Sequence, residues 1–412
     1  MSTVTQQARV PRTVTALAAC FSLGIAGCAV QDSASSSAAM TSGRSLSSTS
    51  IAKASSGVGG ANTAQVVAAA NAFLATLSDE QREAVVYDFD DPAKKTGWTN
   101  LPTPAVERNG LMLGDLTAEQ DAAAMKVMEA ALSEQGYEEL VEIRTANAYL
   151  AALPDTPAPT ATPAAAATDT PTDTATDTPT ATPTPTPTDT PTATPPAPGR
   201  PTLGSQYYYI AFFGQPSKKT QFMVQYGGHH DAHNLTYAGD NVTISPTLTG
   251  IEPMQFEWEG VSYAPLEDKR TSTMAVVESL SAEELAAAEI DGSFDDLLLG
   301  PGNDGPFPAQ PEGVLVSDLT KAQQKKVTAM LRAWVDDLEE KAAARLLAKY
   351  VSEFDETYIG WSGGTTLDNV ETYIRLDGPS AWIEFSNQPG NRTSGIHQHT
   401  IFRDETTDYG WN

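Results

Sequence analysis

Histidine is the side chain that most readily serves as a transition-metal ligand near neutral pH, and this chain has five, all in two short stretches. His229, His230 and His233 lie in "GGHHDAHN", and His397 and His399 lie in "GIHQHT". His397 and His399 are one residue apart in a stretch with strand character, so both rings project from one face and form a two-point chelate. His229 and His230 are adjacent and in a regular strand would face opposite ways. Gly227 and Gly228 before them permit a bulge or turn that re-aims one ring, and His233 is near enough to join if "HDAH" turns.

Three or four imidazoles without a thiolate suit zinc, copper, iron or nickel and leave room for water or substrate. His229, His230, His397 and His399 are therefore the expected ligands of one ion, zinc or copper. Asp231, Glu384, Asp404, Glu405 and Asp408 are carboxylates that could orient a ring or take a proton from metal-bound water, whose pKa on zinc falls to about 7. Of these, Asp404 is the expected base, and Arg403 is expected to orient an anionic small-molecule substrate. Metal-dependent hydrolysis is the leading expectation. A non-catalytic lipoprotein that captures metal or a small ligand, and a surface protein whose histidines knit two strands together, remain open. No P-loop, dinucleotide glycine fingerprint, HExxH or GxSxG motif is present.

The elements that must position these residues are legible in part. Four stretches, "LSDEQ", "LTAEQ", "LSAEE" and "LTKAQ", place a hydroxyl three residues before Glu or Gln, and each is a capping box. Helices are expected after Ser78, Thr117, Ser281 and Thr320. The last should be long, because Val327, Met330, Leu331, Trp334, Val335, Leu338, Leu346 and Tyr350 recur near 3.6-residue spacing. Strands are expected at "QYYYIAFFG", "QFMVQYGG", "HNLTYAG", "NVTISPTLTG", "MQFEWEG" and "GIHQHTIFRD", with a hairpin over 370–387 turning at "DGPS". The expected fold class is α+β: a mostly antiparallel sheet covered by long helices.

Residues 1–27 resemble an export signal, with Arg9 and Arg12 ahead of a short apolar run. The run ends in "IAGC", which resembles a bacterial lipobox, so Cys28 is the expected lipidation site and the membrane an expected partner. Cys20 would leave with the signal, and no disulfide is expected in the mature monomer. Residues 28–62, rich in Ser, Gly and Ala, are expected to be a flexible tether. Residues 153–202 are a Thr/Pro/Asp run in which repeated proline removes amide donors, so neither helix nor central strand is expected. We take that run as an insertion into a single domain over 63–412, because the helices before it and the strands after it need one another. A formal charge of −27 argues against nucleic acid as a partner.

"QYYYIAFFGQPS", "YGGHHDAHNLTY", "ISPTLTGIEP", "RLDGPSAWIEFS", "HQHTIFRDETTDYG" and "GLMLGDLTAEQ" together resemble an uncharacterised bacterial family, domain of unknown function 3500, over about residues 64–410 apart from the Thr/Pro run. The resemblance implies a single interrupted domain. It marks Gly228, His229, His230 and Asn234 in one motif and His397, His399, Arg403, Asp404, Asp408, Tyr409 and Gly410 in another. His233 falls outside the first motif. The family implies no activity, so function rests on the histidines.

Overall fold

The computed structural model describes residues 57–154 and 202–411. The expected export signal, Cys28, the expected tether as far as residue 56 and residues 155–201 of the Thr/Pro run lie outside the described residues. Before the insert run α1 (Thr63–Thr76), α2 (Asp79–Val85), β1 (Val86–Tyr87), α3 (Ala93–Thr96), β2 (Leu111–Met112), α4 (Ala118–Ala131) and α5 (Glu134–Ala152). After it come β3 (Tyr209–Phe213), β4 (Phe222–Gly228), β5 (Asp231–Ala238), β6 (Asn241–Thr243), β7 (Thr247–Ile251), β8 (Phe256–Trp258), β9 (Val261–Tyr263), α6 (Glu267–Val277) and α7 (Ala282–Ala288). The chain closes with β10 (Val314–Leu315), α8 (Lys321–Val335), α9 (Glu340–Ser352), β11 (Tyr358–Gly363), β12 (Thr372–Asp377), β13 (Ala381–Pro389) and β14 (Ile396–Asp404).

All four capping boxes form. Ser78, Thr117, Ser281 and Thr320 accept from the amide three residues on, and Gln81, Gln120, Glu284 and Gln323 reach back to the cap amide. Each box satisfies two amides that a helix start otherwise leaves orphaned. The single long helix expected after Thr320 is instead two, α8 and α9, although its apolar stripe continues through both. Tertiary hydrogen bonds take over at the break: the Ser133 hydroxyl and amide donate to the carbonyls of Asp336 and Asp337, and the Asp337 carboxylate pairs with Lys269. "NVTISPTLTG" likewise splits into β6 and β7 around Pro246, which has no amide to offer a ladder.

The main sheet has the order β1-β3-β4-β5-β7-β14-β13-β12-β11-β10, with β2 on β3 and β6 on β5. Its pairings are antiparallel except β1 with β3. The fold is thus α+β. Alternation along the strands divides two faces. Ile210, Phe212, Val224, Leu235, Ile383 and Phe402 pack under the helices with Phe73, Val127, Met330, Trp334 and Leu346. Ala211, Phe213, Met223, Ala232 and Ile401 face the other way, against Phe89, Trp98 and Leu297. Those last three belong to two long loops, 88–110 and 291–313. Helices before the Thr/Pro run therefore share one core with strands after it.

The sheet also repeats itself. Ser78 and Ser281, Gln81 and Glu284, Thr117 and Thr320, and Gln120 and Gln323 are related by one constant interval. Gln120 Nε2 donates to Thr76 O and to Gln81, and Gln323 Nε2 donates to Ser279 O and to Glu284, across the same 44 and 39 residues. Val86 pairs in parallel with Phe212, and Glu289, one interval on, pairs in parallel with Trp361. Gly110 and Gly313, both at positive φ, lie so close to the carbonyls of Ile210 and Ile359 that a Cβ would come within 2.0 and 2.1 Å of the oxygen. Strands β3, β4, β5 and β7 are thus mirrored by β11, β12, β13 and β14, and the two copies meet where β7 pairs with β14.

Candidate metal centre

β4 and β5 form a hairpin in which Gly228 pairs with Asp231, leaving His229 and His230 as a two-residue turn. His230 takes φ 67°, a left-handed conformation that costs a residue with a Cβ roughly 1–2 kcal/mol. Its backbone is held on both sides: its amide donates to Asn100 O at 3.0 Å, and its carbonyl accepts from Gly250 N at 2.7 Å. The turn thereby swings the His230 ring onto the loop face, where β14 presents His397 and His399.

These three rings form one group, buried, with potential ligand atoms all within 4.8 Å of one another. The ring centres are 4.7 Å apart for His230 and His397, 5.6 Å for His230 and His399, and 4.4 Å for His397 and His399. His230 Nε2 lies 2.7 Å from His397 Nε2. The outward nitrogens are braced: His397 Nδ1 by Asn391 at 3.0 Å, and His399 Nδ1 by Asp296 Oδ1 at 2.9 Å and Gln388 at 3.1 Å. Asp296 favours a proton on His399 Nδ1, which leaves the Nε2 lone pair to accept from Asn100 Nδ2 at 3.2 Å or, in its place, to ligate a metal. His230 Nδ1 has no hydrogen-bond partner among the described residues.

Burial pushes the pKa of His230 well below the usual imidazole range, with the neighbouring histidines adding to the effect. It lowers His397 to about 3, with His399 contributing and Asp296 opposing. Both rings are therefore neutral near pH 7 and able to coordinate. On a tetrahedral zinc, with bonds of about 2.0–2.1 Å, two nitrogens stand about 3.3 Å apart, so the His230 and His397 rings need to part by only about half an ångström. The donor set fits a transition metal.

Gly250 makes room for the group. It pairs with His399 across β7 and β14, and a Cβ there would sit 2.7 Å from His399 and 3.4 Å from His230. Glycine inside a strand often marks such a close approach, and this was the available sequence signal for it.

The structure does not gather every expected residue. His229 stacks on His230 at 3.6 Å but stands outside the group: its Nδ1 meets Asn147 Oδ1 at 2.7 Å, and its carbonyl accepts from Asn147 and Tyr208. It fastens the turn to α5. His233 points to the helix face, its Nε2 2.8 Å from Asp231, beside a buried group in which Lys269 pairs with Glu139 and Asp337.

Asp404 is also on the helix face, because it is an odd number of residues from His397 and His399 on the same strand. There it accepts from the Tyr350 hydroxyl at 2.6 Å and pairs with Lys349 at 3.1 Å, so it is not placed to act on anything the histidines hold. Arg403 shares their face but is engaged by Asp304 and by Asp408, and its guanidinium lies over Tyr409. Glu384 is buried and accepts from the amides of Leu298 and Leu299, the Tyr373 hydroxyl and the Trp382 indole. Glu405 is exposed.

The residues that do join the histidines come from the two loops. Asn100 Nδ2 is 3.2 Å from His399 Nε2, and Asp296 is the carboxylate that sequence reasoning missed. Burial alone would raise the Asp296 pKa, but its hydrogen bond and charge interaction with His399 and the Leu297 amide outweigh it and hold the carboxyl below its ordinary value. Both residues also line a cavity of about 260 Å³ between the loops. The arrangement is thus a buried trio of imidazoles able to hold a metal ion, with a cavity lined by two residues, Asn100 and Asp296, that contact His399.

An α+β protein with a tri-histidine group at the seam of a doubled sheet is the class that fold and site define. The chain belongs to the family described as "Protein of unknown function (DUF3500)", whose profile matches residues 59–411. No curated protein and no solved structure matches it.

Proposed function

We propose that the chain is an exported, lipid-anchored protein of the bacterial cell envelope that holds one transition-metal ion, zinc or copper, on His230, His397 and His399, and that the ion serves a hydrolase. The observation that carries this reading is the meeting of three buried imidazoles, from segments far apart in sequence, one of them contacted by Asn100 and Asp296, which line a cavity. An ion on three protein nitrogens keeps a position for water and lowers that water's pKa. Asp296 takes the proton-accepting role that Asp404 is not placed to fill, since it reaches both His399 and the cavity. Asn100 offers an amide beside His399 to a substrate oxygen.

The anchor is Cys28, and Cys28→Ala should move the protein from the membrane to the soluble fraction; unchanged membrane retention would remove the lipid from this account. The Thr/Pro run over 153–202 is a surface insertion into one domain. Support comes from the repeat: α5 and β3 flank the insert, whereas residues 353–357 suffice to join the matching α9 and β11.

The hydrogen-bond distance between His230 and His397 favours a second reading, in which the histidines only knit hairpin to strand. Elemental analysis separates the two, on protein purified without a histidine tag and on a His397→Ala/His399→Ala variant. The metal reading expects about one equivalent in wild type and none in the variant. Metal-free wild type, together with a variant that folds equally well, would end it.

A further inference from the structure

The cavity bounded by Asn100 and Asp296, which contact His399, has a wall whose chemistry narrows what can enter. Its volume of about 260 Å³ equals roughly nine waters at ~30 Å³ each, room for a compact organic molecule of about ten non-hydrogen atoms. Trp98, Leu101, Val106, Leu248 and Leu297 supply most of the apolar lining. Asn100 and Asp296 are the two lining residues that touch His399. Asp296 is the only charged side chain among the described residues that line it, and no lysine or arginine is among them.

The loops carry further apolar surface outward. Leu101 is 45% exposed, and Leu298, next to the lining Leu297, is 39% exposed. Large apolar side chains left in water beside a concave, apolar wall mark a binding surface. A carboxylate on the body of a ligand, away from the ion, would meet Asp296 with no lysine or arginine among the described lining residues to answer it, in a chain whose formal charge is −27. Arg403, the expected anion partner, is taken up by Asp304 and Asp408.

Resting on the metal reading above, we propose that this cavity selects a small molecule with an apolar, uncharged body and one oxygen-bearing group for the ion, and that it excludes a body that carries a further anionic group. The apolar body lies against Trp98, Leu101 and Leu297, and the oxygen-bearing group meets Asn100 and the ion held by the histidines. Leu101 and Leu298 extend the apolar contact towards solvent, so a flat aromatic or short alkyl group gains more than a polar one.

Hydroxamic acids are suitable probes because they ligate zinc through one constant group while the rest of the molecule varies. Acetohydroxamic acid, benzohydroxamic acid and the monohydroxamic acid of succinic acid would be titrated into the zinc-loaded full chain by calorimetry. Benzohydroxamic acid should bind at least about tenfold more tightly than acetohydroxamic acid, as burial of a phenyl group predicts, and the succinic probe more weakly than either. Leu101→Asp should erase the benzohydroxamic preference while zinc content stays unchanged. Equal affinities, tightest binding of the anionic probe, or a preference that survives Leu101→Asp would each overturn the cavity assignment and leave the metal reading standing. A chain that takes up neither zinc nor copper would overturn both, and that outcome is visible before any probe is added.

Discussion

Between β4 and β5 the first copy of the repeat turns through His229 and His230; at the matching turn between β12 and β13 the second copy has Pro379 and Ser380. The backbone bond is kept in both: the His230 carbonyl accepts from Gly250 at 2.7 Å, and the Ser380 carbonyl accepts from Glu405 at 2.8 Å. Beneath the turns, the first copy pairs Gln225 with Asn234 and Asn109. The second sets Arg375 opposite Glu384 and bonds it to Glu312. The same scaffold is thus built with amides in one half and charges in the other.

The histidine group belongs to neither half alone. His230 and Asn100 come from the first copy, and His397, His399 and Asp296 from the second, so the centre lies at the seam between β7 and β14. A repeat supplies two matched loops and two matched turns. Divergence at their meeting point then supplies the chemistry.

Three tests by substitution bear on that comparison. The largest effect is expected at Glu384, whose removal as Glu384→Ala strands four donors, three of them buried, and should cost about 3–5 kcal/mol. The matching Asn234→Ala loses the bonds to Gln225 and to Pro246 O and should cost about 1–3 kcal/mol. Urea unfolding of both variants measures the gap; equal losses would mean that the charged and neutral networks are energetically alike.

Lys94 comes next. It is buried, its ammonium lies 4.2 Å from the centre of the Phe89 ring, and it has no hydrogen-bond partner among the described residues. The second copy has Leu297 at the matching position. Burial lowers the Lys94 pKa to about 8, against an opposing pull from Asp90, so between about pH 8 and its unfolded value near 10.4 the unfolded chain binds the extra proton. Stability contributed by this site should rise with pH across that window. Lys94→Leu should therefore stabilise the protein at pH 7 by on the order of 2–3 kcal/mol, an advantage that shrinks as the pH approaches 10.4. Denaturant midpoints at the two pH values check it, and a destabilised variant at pH 7 would contradict the assignment.

The smallest difference is expected at the caps. Thr117→Ala and Thr320→Ala should each cost about 1 kcal/mol, because the two boxes make the same two cap bonds, Thr320 adding only a hydroxyl donation to Gln323. Unequal costs would show that the copies have diverged even where their hydrogen bonds agree.

Local rules carried the sequence reading well where the cause was local. The four capping boxes and the His397/His399 parity depend only on neighbours a few residues away, and all of them formed. The same parity argument was enough to exclude Asp404, which sits seven residues from His397 and five from His399 and so must face the other way. What escaped depends on distant partners. The break between α8 and α9 carries no glycine or proline, and its carbonyls are taken by Ser133 from a different helix. Asp296 lies in "FDDLLLG", a stretch with no feature that sets it apart from ordinary acidic loop sequence, and only the fold brings it to His399. Pairing four similar boxes into two sets by one constant interval was possible from sequence alone, but the meaning of that interval emerges from the doubled sheet.

X-ray absorption at the metal edge of the purified full chain tests the central claim most directly. One ion ligated by three imidazole nitrogens at about 2.0–2.1 Å if it is zinc, with that signature lost in His230→Ala as well as in His397→Ala/His399→Ala, is the result the account predicts. A signature unchanged by His230→Ala, or one that reports carboxylate or sulfur ligands, would contradict it.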